Sequence, residues 1–415
     1  MSIKKINEGC YLALHQTQKF KNVSLILNFF SPFSKEALTY GNLAADILAN
    51  QCAAYPSKQA FNRHLDLLYG GGYGISNGII GQSICLSFRI WVVNGRFVDQ
   101  DLLNKQLDTL KDVVFQPQQK NAAFFKTQFL EAKENVLTNL LRDKDQPQNY
   151  AYKRALEIYG ENYPIACDGN GDTKLIEASS AEAVFYWYYD MVERGYCELI
   201  AIGETEEELL RNFLKDISKQ PRLSAGHSCY IKPFLQYQEV TEKAKIQQSQ
   251  LLLVYQTPLN IRDADFYSLS VGCALLGQLP TSLLFQEVRE RRSLCYYIAS
   301  RTLPFDGGML ITTAMAADSI PQALTLIKEL VAKVSNKDFP AELLSMAKEL
   351  LVSNLKAGFD GMFGYVNESL RMMHIDEKLT TANVITKIES ITIEEVASAF
   401  SGLKLETVYS YEQEN

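Results

Sequence analysis

Short apolar runs alternate with longer stretches of helical spacing along most of the chain, and polar or glycine-rich breaks separate them. Residues 22–31 make a Val/Ile/Phe-rich run that predicts a strand, and 36–54 places Leu43, Ile47 and Cys52 at helical spacing. An amphipathic helix over 59–69 closes at Gly70, Gly71 and Gly72, after which 73–77 and 83–93 read as paired strands. Helices follow at 101–114 and 121–142, the second after Pro117 with Phe124, Leu130, Val136 and Leu137 on its apolar side. Residues 181–203 read as a helix running into a buried strand that stops at Gly203, and 206–214 as a short helix.

The pattern lapses over 218–244, where Pro221, Gly226 and Pro233 interrupt any period. This segment is assigned as a linker between an N-terminal half, 1–217, and a C-terminal half, 245–415. The second half repeats the order of the first: a strand at 250–255, helices at 265–277 and 282–290, strands at 294–303 and 308–315, then helices at 321–333 and 341–356. Ala132-Lys133-Glu134 recurs as Ala347-Lys348-Glu349, Asn139-Leu140 as Asn354-Leu355 and Tyr150 as Tyr365, all at the same offset. The expected fold class is therefore α+β. It has two duplicated halves, each a mostly antiparallel sheet with helices on one face, facing each other as a clam shell.

Composition narrows the function. With 415 residues, 47% of them hydrophobic and 21% charged, the chain has material for more than one core and is not a disordered or disulfide-stapled protein. A net charge of −7 gives no reason to seek phosphate backbones, so nucleic acid is not an expected partner. No apolar run approaches the roughly 20 residues of a membrane span and the N-terminus lacks a secretory pattern, which leads to the expectation of a soluble, cytoplasmic protein. The eight cysteines are scattered singly, and His15, His64, His227 and His374 lie far apart, so neither set has metal-ligand spacing.

Three motifs invite chemistry. The run from Gly70 to Gly74 is followed by no Lys-Ser or Lys-Thr and opens no helix, so it reads as a turn and not a phosphate loop. The aromatic run Phe185-Tyr186-Trp187-Tyr188-Tyr189 reads as a helix wedged between layers. Arg289-Glu290-Arg291-Arg292 reads, on spacing alone, as a solvated helix end.

The stretch from Thr281 to Tyr297, with Arg289 and Tyr296 inside it, resembles the second-half signature of the insulinase/pitrilysin family of inverted zincin metallopeptidases. The Glu134-Asn-Val-Leu-Thr-Asn helix, the Gln146-Pro147 break, the run from Ile158 to Pro164 and the strand ending at Ile202-Gly203-Glu204 are similar to the same family in the same order. Among its branches the chain resembles a bacterial, zinc-motif-lacking subunit of the mitochondrial-processing-peptidase-like type. In active members His-x-x-Glu-His on a first-half helix holds zinc with a Glu from a later helix. Aligning Gly41 with the family's glycine puts Ala44 and Leu48 at the histidine positions, Ile47 at the glutamate and Asn139 at the later ligand. These degenerate positions imply that the chain itself holds no zinc or other cofactor.

Arg289 and Tyr296 match the family's substrate-binding pair. The resemblance implies a non-metal-binding subunit of a two-chain zinc peptidase, with Zn in a sister subunit that carries the intact motif. Arg289 and Tyr296 would then reach the transition state of a bound peptide in trans, and the chain alone would be inactive. The alternative implied by the same family is a catalytically inactive homologue serving as a scaffold or peptide-binding protein.

Overall fold

The computed structural model describes residues 1–98, 101–220, 222–224 and 229–414, so Pro221, Gly226 and His227 lie outside the described residues. The chain forms two compact units, Met1–Leu141 with Asp168–Gly226, and Arg142–Cys167 with His227–Asn415.

The first unit is built on β1 (Ser2–Asn7), β2 (Cys10–His15), β3 (Asn22–Pro32), β4 (Gly72–Ile80), β5 (Ser83–Val93) and β6 (Tyr196–Ile202), in the order β1-β2-β6-β3-β5-β4. Only β2 and β6 run parallel; the other neighbours are antiparallel. Its helices are α1 (Lys35–Leu48), α2 (Lys58–Leu67), α3 (Leu102–Phe115) and α4 (Lys126–Lys144). After α5 (Pro147–Gly160), which belongs to the second unit, come α6 (Thr173–Ala178), α7 (Ala181–Arg194) and α8 (Glu207–Ile217). Every residue of β6 is buried, as expected for a strand at the middle of a covered sheet. Ser34, Ser57 and Ser180 cap α1, α2 and α7, each accepting from a backbone N–H three residues on.

The second unit has β7 (Gln238–Ala244), β8 (Ser249–Gln256), β9 (Cys295–Leu303), β10 (Gly308–Met315) and β11 (Lys404–Gln413), in the order β7-β11-β8-β10-β9. Its helices are α9 (Phe266–Gly277), α10 (Ile320–Ser335), α11 (Ala341–Gly358), α12 (Phe363–His374), α13 (Thr381–Ser390) and α14 (Ile393–Ser401). Leu251, Leu253, Met309 and Ile311 face the core made with α9, α10, α11 and α14. On the other face of the sheet Leu252, Val254, Leu310 and Tyr409 pack on Ala151, Ala155 and Tyr159 of α5. Nearly every residue of α9 is buried, which explains why it lacks a polar side.

The internal repeat holds in three dimensions. Strands β2 to β6 and β7 to β11 share one order, with a parallel first pair and antiparallel neighbours thereafter; β1 is added to the first sheet. The matched tripeptides sit on α4 and α11. Lys133 Nζ donates to the carbonyl of Glu177 at the end of α6 (2.9 Å), and Lys348 Nζ donates to that of Glu389 at the end of α13 (3.1 Å).

Several elements differ from the sequence reading. Residues 238–244, placed in the linker, form β7, the counterpart of β2. The helix expected from 121 begins at Lys126 because Asn121 and Ala122 take left-handed conformations in a turn. The 282–290 helix is π-helical over Phe285–Glu290. The glycine run is a turn: Tyr69 and Gly70 take positive φ, and a Cβ on Gly72 would lie 2.0 Å from the Trp91 ring. The aromatic run is not wedged between layers, since Phe185 and Tyr188 are buried while Tyr186 and Tyr189 are exposed.

Candidate functional site

Helix α1 packs its apolar side on β4, β5 and α7. Ala44, Ile47 and Leu48 are 0%, 4% and 1% exposed, so all three are core side chains. None carries a lone pair for a metal or a group able to polarise water. Asp46, the acid beside them, accepts a hydrogen bond from Asn135 Nδ2 on α4 (3.1 Å). Burial raises the Asp46 carboxyl above its ordinary value, the Asn135 bond opposes this and the Glu131 charge adds to it. Asn139 lies one turn beyond Asn135 and is half-buried. Sequence reasoning singled out Asn139 and passed over Asn135, although the two stand at helical spacing. Among the described residues no group of three or more His, Cys, Asp and Glu side chains is arranged to hold a metal ion.

Arg289 stands on the π-helical turn, and a reversal at Ser293 (φ 51°) leads into β9. The three arginines of this turn have different fates. Arg291 and Arg292 are both held by Glu287, at 2.5 and 2.8 Å. The Arg289 guanidinium instead stacks over the Phe285 ring at 4.5 Å, with Glu290 as an exposed companion at 3.6 Å. Its charge reaches the Cys295 thiol, opposing the effect of burial there. Stacking fixes the stem and leaves the donor fork half-exposed.

Tyr296 is 79% exposed. It falls where the β9–β10 register shifts, between the pairs Met315 with Cys295 and Ala314 with Tyr297. As the extra residue of this bulge it is released from the alternation of the strand. That explains why Tyr296 and Tyr297 are both exposed although they are consecutive. The structure thus places the predicted pair at the two ends of one turn-and-strand junction.

Beside the junction, a groove of about 340 Å³ runs between α5 and the face of the second sheet. Gln148, Tyr152, Gln250, Tyr297, Arg301 and Thr312 line it, and Arg301 lies over the Tyr152 ring at 4.3 Å. Tyr296 is not among its lining residues. The sequence reading missed this groove because its wall is α5, which lies in the first half of the sequence.

Residues 179–351 match the family described as Peptidase M16 inactive domain. A Bacillus subtilis protein named "Probable inactive metalloprotease YmfF" is 24% identical over 411 residues, covering 98% of this chain and 96% of that protein. The match over 179–351 and this relative agree with the insulinase-type resemblance read from the sequence. A Bacillus subtilis relative named "Uncharacterized zinc protease YmxG" is 20% identical over 71% of each chain. In fold, this M16 homologue is similar to a conserved protein from Enterococcus faecalis, with a TM-score of 0.93, 24% identity and coverage of 100% and 98%. It is also similar to a peptidase M16 inactive domain from Pseudomonas fluorescens, with a TM-score of 0.80, 18% identity and coverage of 100% and 98%.

Proposed function

We propose that this M16 homologue is the metal-free subunit of a two-chain zinc peptidase, in which Arg289 and Tyr296 bind a peptide over the zinc of a sister subunit. The contrast among the three arginines carries this reading: Glu287 holds Arg291 and Arg292, while Arg289 keeps a presentable fork and Tyr296 stands exposed on a bulge. A guanidinium binds a carbonyl oxygen or carboxylate in two-point fashion, and a phenol donates to a developing oxyanion. Those are the groups a peptide presents during hydrolysis. A cytoplasmic location suits eight cysteines, none of which is in a disulfide.

The burial of Ala44, Ile47 and Leu48 also favours a second reading, an inactive scaffold or peptide-binding protein. The fold suits that role too: a chain of "Complex III2 from Candida albicans" shares it at a TM-score of 0.73. Co-expression with a zinc-motif-bearing M16 chain from the same genome separates the two. The first reading expects co-elution and chelator-sensitive hydrolysis of unstructured peptides by the pair and by neither chain alone. Co-elution without hydrolysis supports the scaffold, and no association contradicts the two-chain reading.

A further inference from the structure

In the first unit, Cys10 of β2 and Cys197 of β6 are directly registered neighbours on parallel strands, and both are fully buried. Registered neighbours project to the same side of a sheet at the separation a disulfide spans. Each thiol shifts the titration of the other.

A buried cation stands beside them. Arg222 is 5% exposed, and its Nη1 donates to the carbonyls of Val192 and Gly195 (2.7 and 3.0 Å) and Nη2 to that of Ile217 (2.6 Å). Its Nε, equally buried, has no partner, and the guanidinium lies over the Phe29 ring at 5.5 Å. No carboxylate is paired with it among the described residues. The guanidinium is held by neutral carbonyls, and its charge acts on both thiols. The Cys197 hydrogen bond, with Ser218 and the Arg222 charge, holds the Cys10 thiol below its ordinary value against the effect of burial. Burial first, and then Cys10, push the Cys197 thiol well up. Glu198, next along β6, points to the opposite face, where Asn28 donates to it.

We propose that Cys10 and Cys197 are a redox-active dithiol, with Cys10 the attacking sulfur and a hydroperoxide the oxidant. The Cys10 thiolate attacks the terminal peroxide oxygen, breaking the O–O bond to leave a sulfenic acid on Cys10 and release the alkoxide, which is hydroxide when the oxidant is hydrogen peroxide. The Cys197 thiol then attacks the Cys10 sulfur; the S–S bond forms, the S–OH bond breaks and water leaves with the Cys197 proton. Two electrons pass from the two sulfurs to one peroxide. Arg222 and Leu223 roof the site: a Cβ on Gly9 would lie 2.3 Å from the Leu223 carbonyl oxygen and 2.8 Å from Arg222 Cβ. The reaction is therefore paced by local opening and runs slowly compared with an exposed thiol.

The test treats the full-length native chain with hydrogen peroxide, alkylates residual thiols in denaturant and maps the digest by mass spectrometry. The expected product is a peptide linking Cys10 to Cys197, lost on reduction. In Cys197→Ser, dimedone should trap a sulfenic acid at Cys10. Separate alkylation of Cys10 and Cys197 after Cys167, a partly exposed cysteine, has been oxidised would overturn the proposal, and that readout needs no variant to fold.

Discussion

Asn135 donates to the Asp46 carboxylate across 3.1 Å, tying the helix that carries Ala44 and Leu48 to the helix that carries Asn139. The two helices on which the family resemblance places a zinc site are thus joined by an amide and a carboxylate. Because the fold raises the Asp46 pKa, the folded state favours the protonated form. Its contribution to stability is fully present below the unfolded value and is lost as pH rises through the raised one. Asp46→Asn, which can still accept from Asn135, should raise the Tm slightly at pH 7 and lose that advantage by about pH 3.5. A Tm series across pH checks this.

The buried aliphatic side chains at 44, 47 and 48 offer a metal no ligand at those three positions. Untagged protein should carry well under one zinc per chain, and a chelator should leave its Tm unchanged. Metal analysis with a paired melting scan checks both; stoichiometric zinc lost together with peptidase activity is the contrary result.

The second unit contains a fully buried ion pair. Lys232 Nζ donates to Glu406 Oε1 (2.5 Å) and to the Pro233 carbonyl (2.9 Å) and lies 4.6 Å from the Tyr159 ring centre. Glu406 sits at the register shift of β11 against β8. Removing either charge alone strands the other in the core, at a cost of about 3–5 kcal/mol. Lys232→Met and Glu406→Leu should each destabilise by that order, and the double variant should lie much closer to wild type. Denaturant unfolding of all four proteins measures it.

Burial raises the Asp306 carboxyl to about 6, partly offset by its hydrogen bond to Tyr230. A raised folded pKa means stability that is present at low pH and lost as pH rises through about 6. The change should be on the order of 2 kcal/mol, and Asp306→Asn should remove it. Unfolding free energies between pH 4 and 7, compared for the two proteins, check the sign.

The strands and helices with strong periodicity, such as β3, β5, β8, β10 and α7, were legible because one face or the whole element is apolar. β7 was not. Its sequence, QEVTEKA, alternates exposed polar residues (Glu239, Thr241, Lys243) with half-buried ones, as edge strands do to resist further pairing, and so reads like a linker. The allegiance of α5 to the second unit was invisible because packing partners, unlike periods, are not local. Within the candidate site, the aliphatic character of Ala44, Ile47 and Leu48 could be read directly. The Asp46–Asn135 contact required two helices to be placed, and the exposure of Tyr296 required a bulge that no residue type announces.

The most direct test of the central claim is the activity of the reconstituted pair with Arg289→Ala or Tyr296→Phe in this chain. Both residues are free of core packing, so the variants should keep the Tm and assembly of wild type. Losing one donor to the transition state costs about 2.7–4 kcal/mol, so turnover should fall a hundred- to a thousand-fold. A pair that assembles and works at full rate with both residues replaced would contradict the account.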